Sequence, residues 1–248
     1  MYEYANAMTD ASTIFALSSA PGRAALSVIR ISGPGVRNVL ETMTAPVPKP
    51  RVAAFRTIRH PDTGEALDRA VVLWFAAPNS ETGEDVAEFQ GHGSRAAVAA
   101  ILGALGMVKG CRLAEPGEFA RRGFENGKMD LAEIEGLGDL IEAETDAQRR
   151  QALAQSSGTL SKLYESWRTR LIEIAALTEA AIDFSNEGDV SASSFAEARK
   201  RADALSTEIG AHLDDGHRGE IVRDGFRVAL LGAPNAGKSS LLNALAKR

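Results

Sequence analysis

Cysteine is nearly missing from this chain. The one residue, Cys111 in KGCRLA, excludes an internal disulfide and fits a reducing compartment, so a cytoplasmic location is expected. Cys111 has no histidine near it in sequence to activate a thiolate, and it reads as a small hydrophobe. Long apolar runs are missing as well, and no stretch approaches the length of a bilayer span, so no membrane role is expected. Residues 1–20 contain Glu3 and Asp10 and lack the basic start and apolar stretch of a secretory leader. An excess of positive charge is also absent. A net charge of −5 excludes a whole surface built to bind nucleic acid, because counterion release needs clustered cations. Local clusters exist at Arg121–Arg122, Arg149–Arg150 and Arg199–Arg201, but their mixed-sign surroundings make solvated helix faces the simpler reading. The histidines, at 60, 92, 212 and 217, have no metal-ligand spacing, and no zinc site is expected.

What is present is ordinary globular composition, 44% hydrophobic and 25% charged, over 248 residues, enough for two domains plus a fragment. TIFALS (13–18) and LSVIRI (26–31) are β-prone runs flanking the turn Ala20-Pro21-Gly22-Arg23. RVAAFRTI and RAVVLWFAA flank Asp62-Thr63-Gly64 and predict a hairpin. VAEFQGHG predicts a strand ending at glycines, and an alanine-rich helix follows from Ser94 to about Met107. Glu115-Pro116-Gly117 is expected to open a helix, with Pro116 in its first turn. From Asp130 the apolar period becomes helical. Asp130-Leu-Ala-Glu133 resembles a capping box, and Leu131, Ile134, Leu137 and Ile141 fall on one face. A second helix carries Leu160, Leu163, Trp167, Leu171 and Ile174; a third begins at Ser194-Phe-Ala-Glu197 and runs through Leu205 to Leu213. The break between them is placed at Phe184-Ser-Asn-Glu-Gly-Asp-Val-Ser, and Asp214-Asp215-Gly216 ends the third. Three such stripes hide their apolar faces by packing as a bundle.

GAPNAGKSSLLNAL, Gly232 to Leu245, follows the apolar run RVALLG and fits G-x-x-x-x-G-K-[ST] in a strand–loop–helix context. Gly232 and Gly237 let backbone N–H groups converge on a phosphate chain without Cβ interference. Lys238 serves as a point charge for the β and γ phosphates, Ser239 offers a hydroxyl to Mg²⁺, and the helix N-terminus favours the anion. Phosphoryl transfer also needs a further acidic residue for Mg²⁺, a group that positions water and elements that recognise the base. None follows Arg248 in this sequence, so residues from about 225 onward are expected to be poorly ordered or nucleotide-incompetent in isolation.

Five ordered blocks now stand out: PGRAALSVIRISG, PNSETGEDVAEFQGHG, LAEPGEFARRGFENGKMDLAEIEGLGDLI, AAIDFSNEGD and GAPNAGKSSLLNAL. Together they resemble the MnmE (TrmE) family of tRNA uridine-modification GTPases, over almost the whole chain. The resemblance implies an α+β N-terminal folate-binding domain that also dimerises (1–125). An all-α helical bundle domain, incomplete here (126–220), and the first strand–loop–helix of a truncated α/β P-loop GTPase domain (221–248) would follow. It implies 5-formyltetrahydrofolate or a related reduced folate held by Arg30, Glu88 and Lys128. It further implies GTP at Asn235, Ala236, Gly237, Lys238, Ser239 and Ser240, with Mg²⁺ on Ser239 and K⁺ on Asn235. With an MnmG-type FAD-dependent subunit, the family adds a carboxymethylaminomethyl or aminomethyl group to C5 of the wobble uridine of certain tRNAs, GTP hydrolysis driving the conformational cycle.

The chemistry is consistent with that assignment. A pterin edge presents N–H donors suited to a carboxylate, and a glutamyl tail presents carboxylates suited to arginine or lysine. Which cation meets which end is left open. On their own, Arg30 reads as a strand residue facing solvent and Glu88 as a charge at a hairpin edge. His92, between Gly91 and Gly93, has the pKa range of an acid or base, but its flanking glycines more simply imply close backbone packing. The family's later GTPase motifs, a switch threonine, D-x-x-G and N-K-x-D, and its C-x-G-K-C tail do not occur in this sequence, which puts GTP turnover by this chain in doubt. Two rival readings remain: a non-enzymatic folate-binding and dimerisation module, and an unrelated ATP-using P-loop protein.

Overall fold

The computed structural model describes residues 12–183, 188–214, 218–225, 229–234 and 236–245. Two compact units divide the chain, Met1–Leu131 and Ala132–Arg248.

In the first unit, apolar residues at every second position set the strands. β1 (Thr13–Leu17), β2 (Ala24–Ser32), β3 (Ala54–Arg59), β4 (Ala66–Phe75), β5 (Val86–Gly93) and β6 (Cys111–Leu113) form one sheet in the order β3-β4-β5-β2-β1-β6. All neighbours are antiparallel except β1 and β6, which run parallel. The expected β3–β4 hairpin forms, and β1 and β2 pair antiparallel across the expected turn. Gly22 at φ 131° lies in the first turn, and Gly64 at φ 70° in the second, where the His60 N–H donates to the Glu65 carbonyl.

Two helices cover one face of the sheet. In α1 (Val36–Thr44) the i, i+3, i+4, i+7 stripe of Val36, Val39, Leu40 and Met43 is fully buried. In α2 (Arg95–Met107), capped by the Ser94 hydroxyl accepting from the Ala97 N–H, Ile101, Ala104 and Leu105 turn inward. They meet Phe15, Ile29, Ile31, Ile58, Val72, Ala87 and Phe89 in one core. α3 (Glu118–Glu125) begins later than expected: Gly117, at φ 75°, is its N-cap, so Pro116 lies before the helix and not in its first turn.

The second unit is helical: α4 (Leu131–Glu142), α5 (Asp146–Ser156), α6 (Thr159–Asp183), α7 (Gly188–Leu213), α8 (Arg218–Asp224) and α9 (Lys238–Leu245). α6 and α7 pack as a pair through Trp167, Ala198 and Leu205, and the Trp167 indole N–H donates to Glu208 at 2.9 Å. Three expectations are corrected here. The third bundle helix starts at Gly188, well ahead of Ser194, and the remainder of the expected break, residues 184–187, lies outside the described residues. The stripe on α4 is only partly covered: Ile134 and Leu137 are half-buried, Leu131 and Ile141 are exposed, and the closest approach is at buried Gly136, where a Cβ would lie 2.5 Å from the Ser156 nitrogen. α5 was not anticipated, although its capping box, Thr145-Asp-Ala-Gln148, is legible in the sequence. Residues 229–232 run without strand pairing among the described residues, and α9 follows as expected.

Candidate functional site

On β2 and β5 the alternation that buries Ile29, Ile31, Ala87 and Phe89 sends Arg30 and Glu88 to the opposite face of the sheet. These two are direct register partners. The Arg30 guanidinium donates to Glu88 Oε1 from Nε at 3.3 Å and from Nη2 at 3.0 Å, and its Nη1 pairs with Glu81 Oε2 at 2.5 Å. Glu88 Oε2 accepts from the Gln90 amide at 3.2 Å. Both side chains are largely shielded, Arg30 at 26% and Glu88 at 15% exposure, so the pair is stronger than a solvated surface bridge. The solvent-facing readings of Arg30 and Glu88 are thereby set aside.

The pair forms one wall of a cavity of about 350 Å³, completed by Arg51, Phe75, Glu81 and Val86. That volume is at the small end of small-molecule sites. Lys128, the third residue singled out from sequence, does not line the cavity. Its stem lies against Gly83, where a Cβ would approach the lysine Cε to 3.1 Å, on the turn that carries Glu81.

That turn is held from behind by α3. Arg122, buried, donates to Glu84 at 3.1 Å, to the Ser12 carbonyl at 2.9 Å and to Glu118 at 3.0 Å. Glu118 also accepts from Arg112 at 2.6 and 2.8 Å and from the Glu115 N–H at 2.8 Å. The Arg112 hydrogen bonds, aided by Glu115 and Arg122, outweigh burial and bring its carboxyl down to about 2. On the near side, Ser32 Oγ lies 2.7 Å from both Thr82 Oγ1 and Glu84 Oε2, and the Asn126 amide donates to the Thr82 carbonyl at 2.7 Å. Sequence reasoning missed this scaffold. Arg122, expected on a solvated helix face, is buried, and nothing local in sequence marks an arginine as buried.

The other clusters are paired as expected of helix faces: Arg149 and Arg150 with Asp146, and Arg201 with Glu197 and Glu173. His92 is exposed and its Nδ1 lies 2.7 Å from Asp68 Oδ1. Burial acts to raise the Asp68 pKa, but hydrogen bonds from the His92 ring and backbone prevail and lower it. A Cβ on Gly91 would lie 2.5 Å from Asp68 Oδ2, and one on Gly93 2.6 Å from the Ala24 carbonyl oxygen, so the flanking glycines do serve close packing. Burial pushes the Cys111 thiol up, away from a reactive thiolate.

In the phosphate-loop segment Gly237 adopts φ 81° and opens α9, and Lys238 Nζ donates to the Gly232 and Ala233 carbonyls at 2.8 and 2.7 Å. Ala236, Ser239 and Ser240 are exposed, and Asn235 lies outside the described residues. Among the described residues no helix is long and apolar enough to cross a membrane.

The first unit matches the family model "GTP-binding protein TrmE N-terminus" over residues 13–128, and the second matches "MnmE helical domain" over residues 131–244. Curated relatives named tRNA modification GTPase MnmE include that of Parvibaculum lavamentivorans, 55% identical over 95% of this chain and 54% of the relative. That of Caulobacter vibrioides is 54% identical over 97% of this chain and 53% of the relative. That of Methylobacterium radiotolerans is 50% identical over 97% and 55%. The chain spans about half the length of the curated relatives it matches. With both family models matched in order across nearly its whole length, this chain belongs to the MnmE/TrmE family.

Proposed function

We propose that this chain is the folate-binding and helical portion of a tRNA-modifying GTPase, with residues 1–125 as the folate and dimerisation domain, 126–220 as the helical domain and 221–248 as the start of the nucleotide domain. The observation that carries the reading is the Arg30–Glu88 pair walling a cavity of about 350 Å³. The residues present suit a reduced folate such as 5-formyltetrahydrofolate: Glu88 is an acceptor for a pterin N–H edge, and Phe75 offers an aromatic wall. Lys128, whose stem lies against Gly83, is assigned by family resemblance as a third folate residue.

When bound, the folate supplies the one-carbon unit for C5 of a tRNA wobble uridine, in the cytoplasm, with an MnmG-type FAD-dependent subunit and a homodimer as the working assembly. GTP is assigned to Asn235–Ser240, with Mg²⁺ on Ser239 and K⁺ on Asn235. The left-handed Gly237 immediately before the α9 N-terminus supports that assignment, since a glycine turn opening a helix is the arrangement that binds phosphate. Lys238 keeps its cation over that loop by bonding the two carbonyls.

Calorimetric titration of 5-formyltetrahydrofolate into the chain and into Arg30→Ala, Glu88→Ala and Lys128→Ala tests the folate site. Loss of affinity of at least tenfold is expected for Arg30 and Glu88. Unchanged affinity in all three removes the assignment. A second reading, a non-enzymatic folate-binding and dimerisation module, needs only the Arg30–Glu88 cavity and not the phosphate loop. A GTPase assay separates the two: turnover abolished by Lys238→Ala supports the enzyme, and folate binding without turnover supports the module.

A further inference from the structure

We propose that Arg51, and not Arg30, reads the anionic end of the ligand in this cavity, and that Arg30 is a positioning residue for Glu88. The assignment rests on the folate reading and fixes the direction in which the ligand lies. Arg30 and Arg51 both line the cavity, yet their surroundings differ. Arg30 already faces two carboxylates: Glu88, reached through Nε and Nη2, and Glu81, reached through Nη1. An anion brought to Arg30 would therefore meet two like charges at the same guanidinium. Arg30 instead holds Glu88 in one orientation, leaving its second oxygen, shared with the Gln90 amide, toward a donor edge.

Arg51 has no carboxylate partner among the described residues. Its Nη2 donates to the Asn79 carbonyl at 2.6 Å, and the guanidinium stands over the Phe75 ring at 5.6 Å from the centroid. A guanidinium has five N–H donors, so donors remain available for a carboxylate. The backbone is specialised at this point. Arg51 adopts φ 61°, the one non-glycine residue with positive φ among the described residues, and its N–H donates to the Trp74 carbonyl at 2.7 Å. A left-handed arginine, anchored by its N–H to the end of β4 and laid over a ring that lines the cavity, is held at the cavity's solvent-exposed rim, where a ligand's charged tail would emerge. The cavity is thus polar in a defined sense: a carboxylate acceptor at Glu88 for a heterocycle with N–H donors, and an uncompensated cation at Arg51 for a carboxylate tail, with Phe75 beside the cation.

The test compares two ligands in calorimetric titrations of the full chain: 5-formyltetrahydrofolate, and a reduced pterin lacking the benzoylglutamate tail. Arg51→Gln is expected to weaken the tailed ligand by about tenfold to a hundredfold and to leave the tail-less pterin unchanged. Arg51→Lys, which keeps the charge and loses the fork, is expected to recover part of that loss. Arg30→Gln is expected to weaken both ligands alike, because it frees Glu88. Equal effects of Arg51→Gln on both ligands, or none, overturn the assignment. So does selective loss of the tailed ligand in Arg30→Gln or Lys128→Ala. Binding of neither ligand by the unsubstituted chain removes the folate reading itself, and the assignment with it.

Discussion

At the scale of single residues, the buried carboxylate of Glu118 is the clearest lever on stability. Its pKa falls from an ordinary 4.5 to about 2. A depressed carboxylate stabilises the fold above its unfolded value and loses that contribution as pH drops through the folded one. The expected cost on acidification from about pH 5 to about pH 2 is about 3 kcal/mol at about 1.4 kcal/mol per pH unit. Denaturant melts across that range should show the decline, and Glu118→Gln should lower stability at neutral pH while flattening the slope. A Glu118→Gln variant with the original acid dependence would contradict the attribution. Glycines give a paired prediction of opposite sign. A Cβ at Gly93 meets backbone at 2.6 Å, whereas at Gly103, exposed within α2, it meets nothing within 4 Å. Gly93→Ala should cost about 1–3 kcal/mol and Gly103→Ala should stabilise by about 0.5–1 kcal/mol, read as shifts in denaturation midpoint.

At the scale of elements, α5 depends on its first turn. The Thr145 hydroxyl accepts from the Gln148 N–H at 3.2 Å, and the Gln148 side chain accepts from the Thr145 N–H at 2.9 Å. Thr145→Ala should therefore destabilise the second unit by about 1 kcal/mol, and a midpoint unchanged within error would show the box to be idle. Element boundaries also show what was legible in the sequence. The end of β5 and the start of α2 were readable because each carries a conformational signal, glycines in one case and the Ser94 cap in the other. α1 went unread although its Val36, Val39, Leu40, Met43 stripe is the most deeply buried of any helix here, since a nine-residue segment between Gly35 and Ala45 is short enough to pass for a loop. The α4 stripe was only half informative, with Ile134 and Leu137 partly covered and Leu131 and Ile141 exposed. Periodicity reports an apolar face, and a glycine that lets two backbones touch contributes nothing to it. Of the site, Arg30 and Glu88 were named through family resemblance and then found paired; Arg51, Glu81 and Arg122 had no local pattern, because turn and tertiary geometry alone bring them to the cavity or its scaffold.

At the scale of the whole molecule, the two units are unequally packed. The first encloses a continuous core of large side chains including Phe15, Phe89, Leu40 and Met43. Among the described residues of the second, the buried apolar side chains are few and mostly small: Ala152, Trp167, Ala181, Ala198 and Leu205, while Leu171, Ile172 and Phe195 stand exposed. Native-state hydrogen exchange should therefore find the slowest amides in β2 and β5, with α6 and α7 opening at lower free energy. Slower exchange in α7 than in β5 would refute that ordering.

Arg30 and Glu88 oppose each other as rungs of adjacent strands, so their meeting is decided by ladder alignment and not by any hairpin tip. Whatever rewriting the tips undergo, this acid and base stay face to face while the neighbouring rungs hold. The recognition chemistry is therefore as durable as the architecture, and the choice of guest is delegated to the loops that can change.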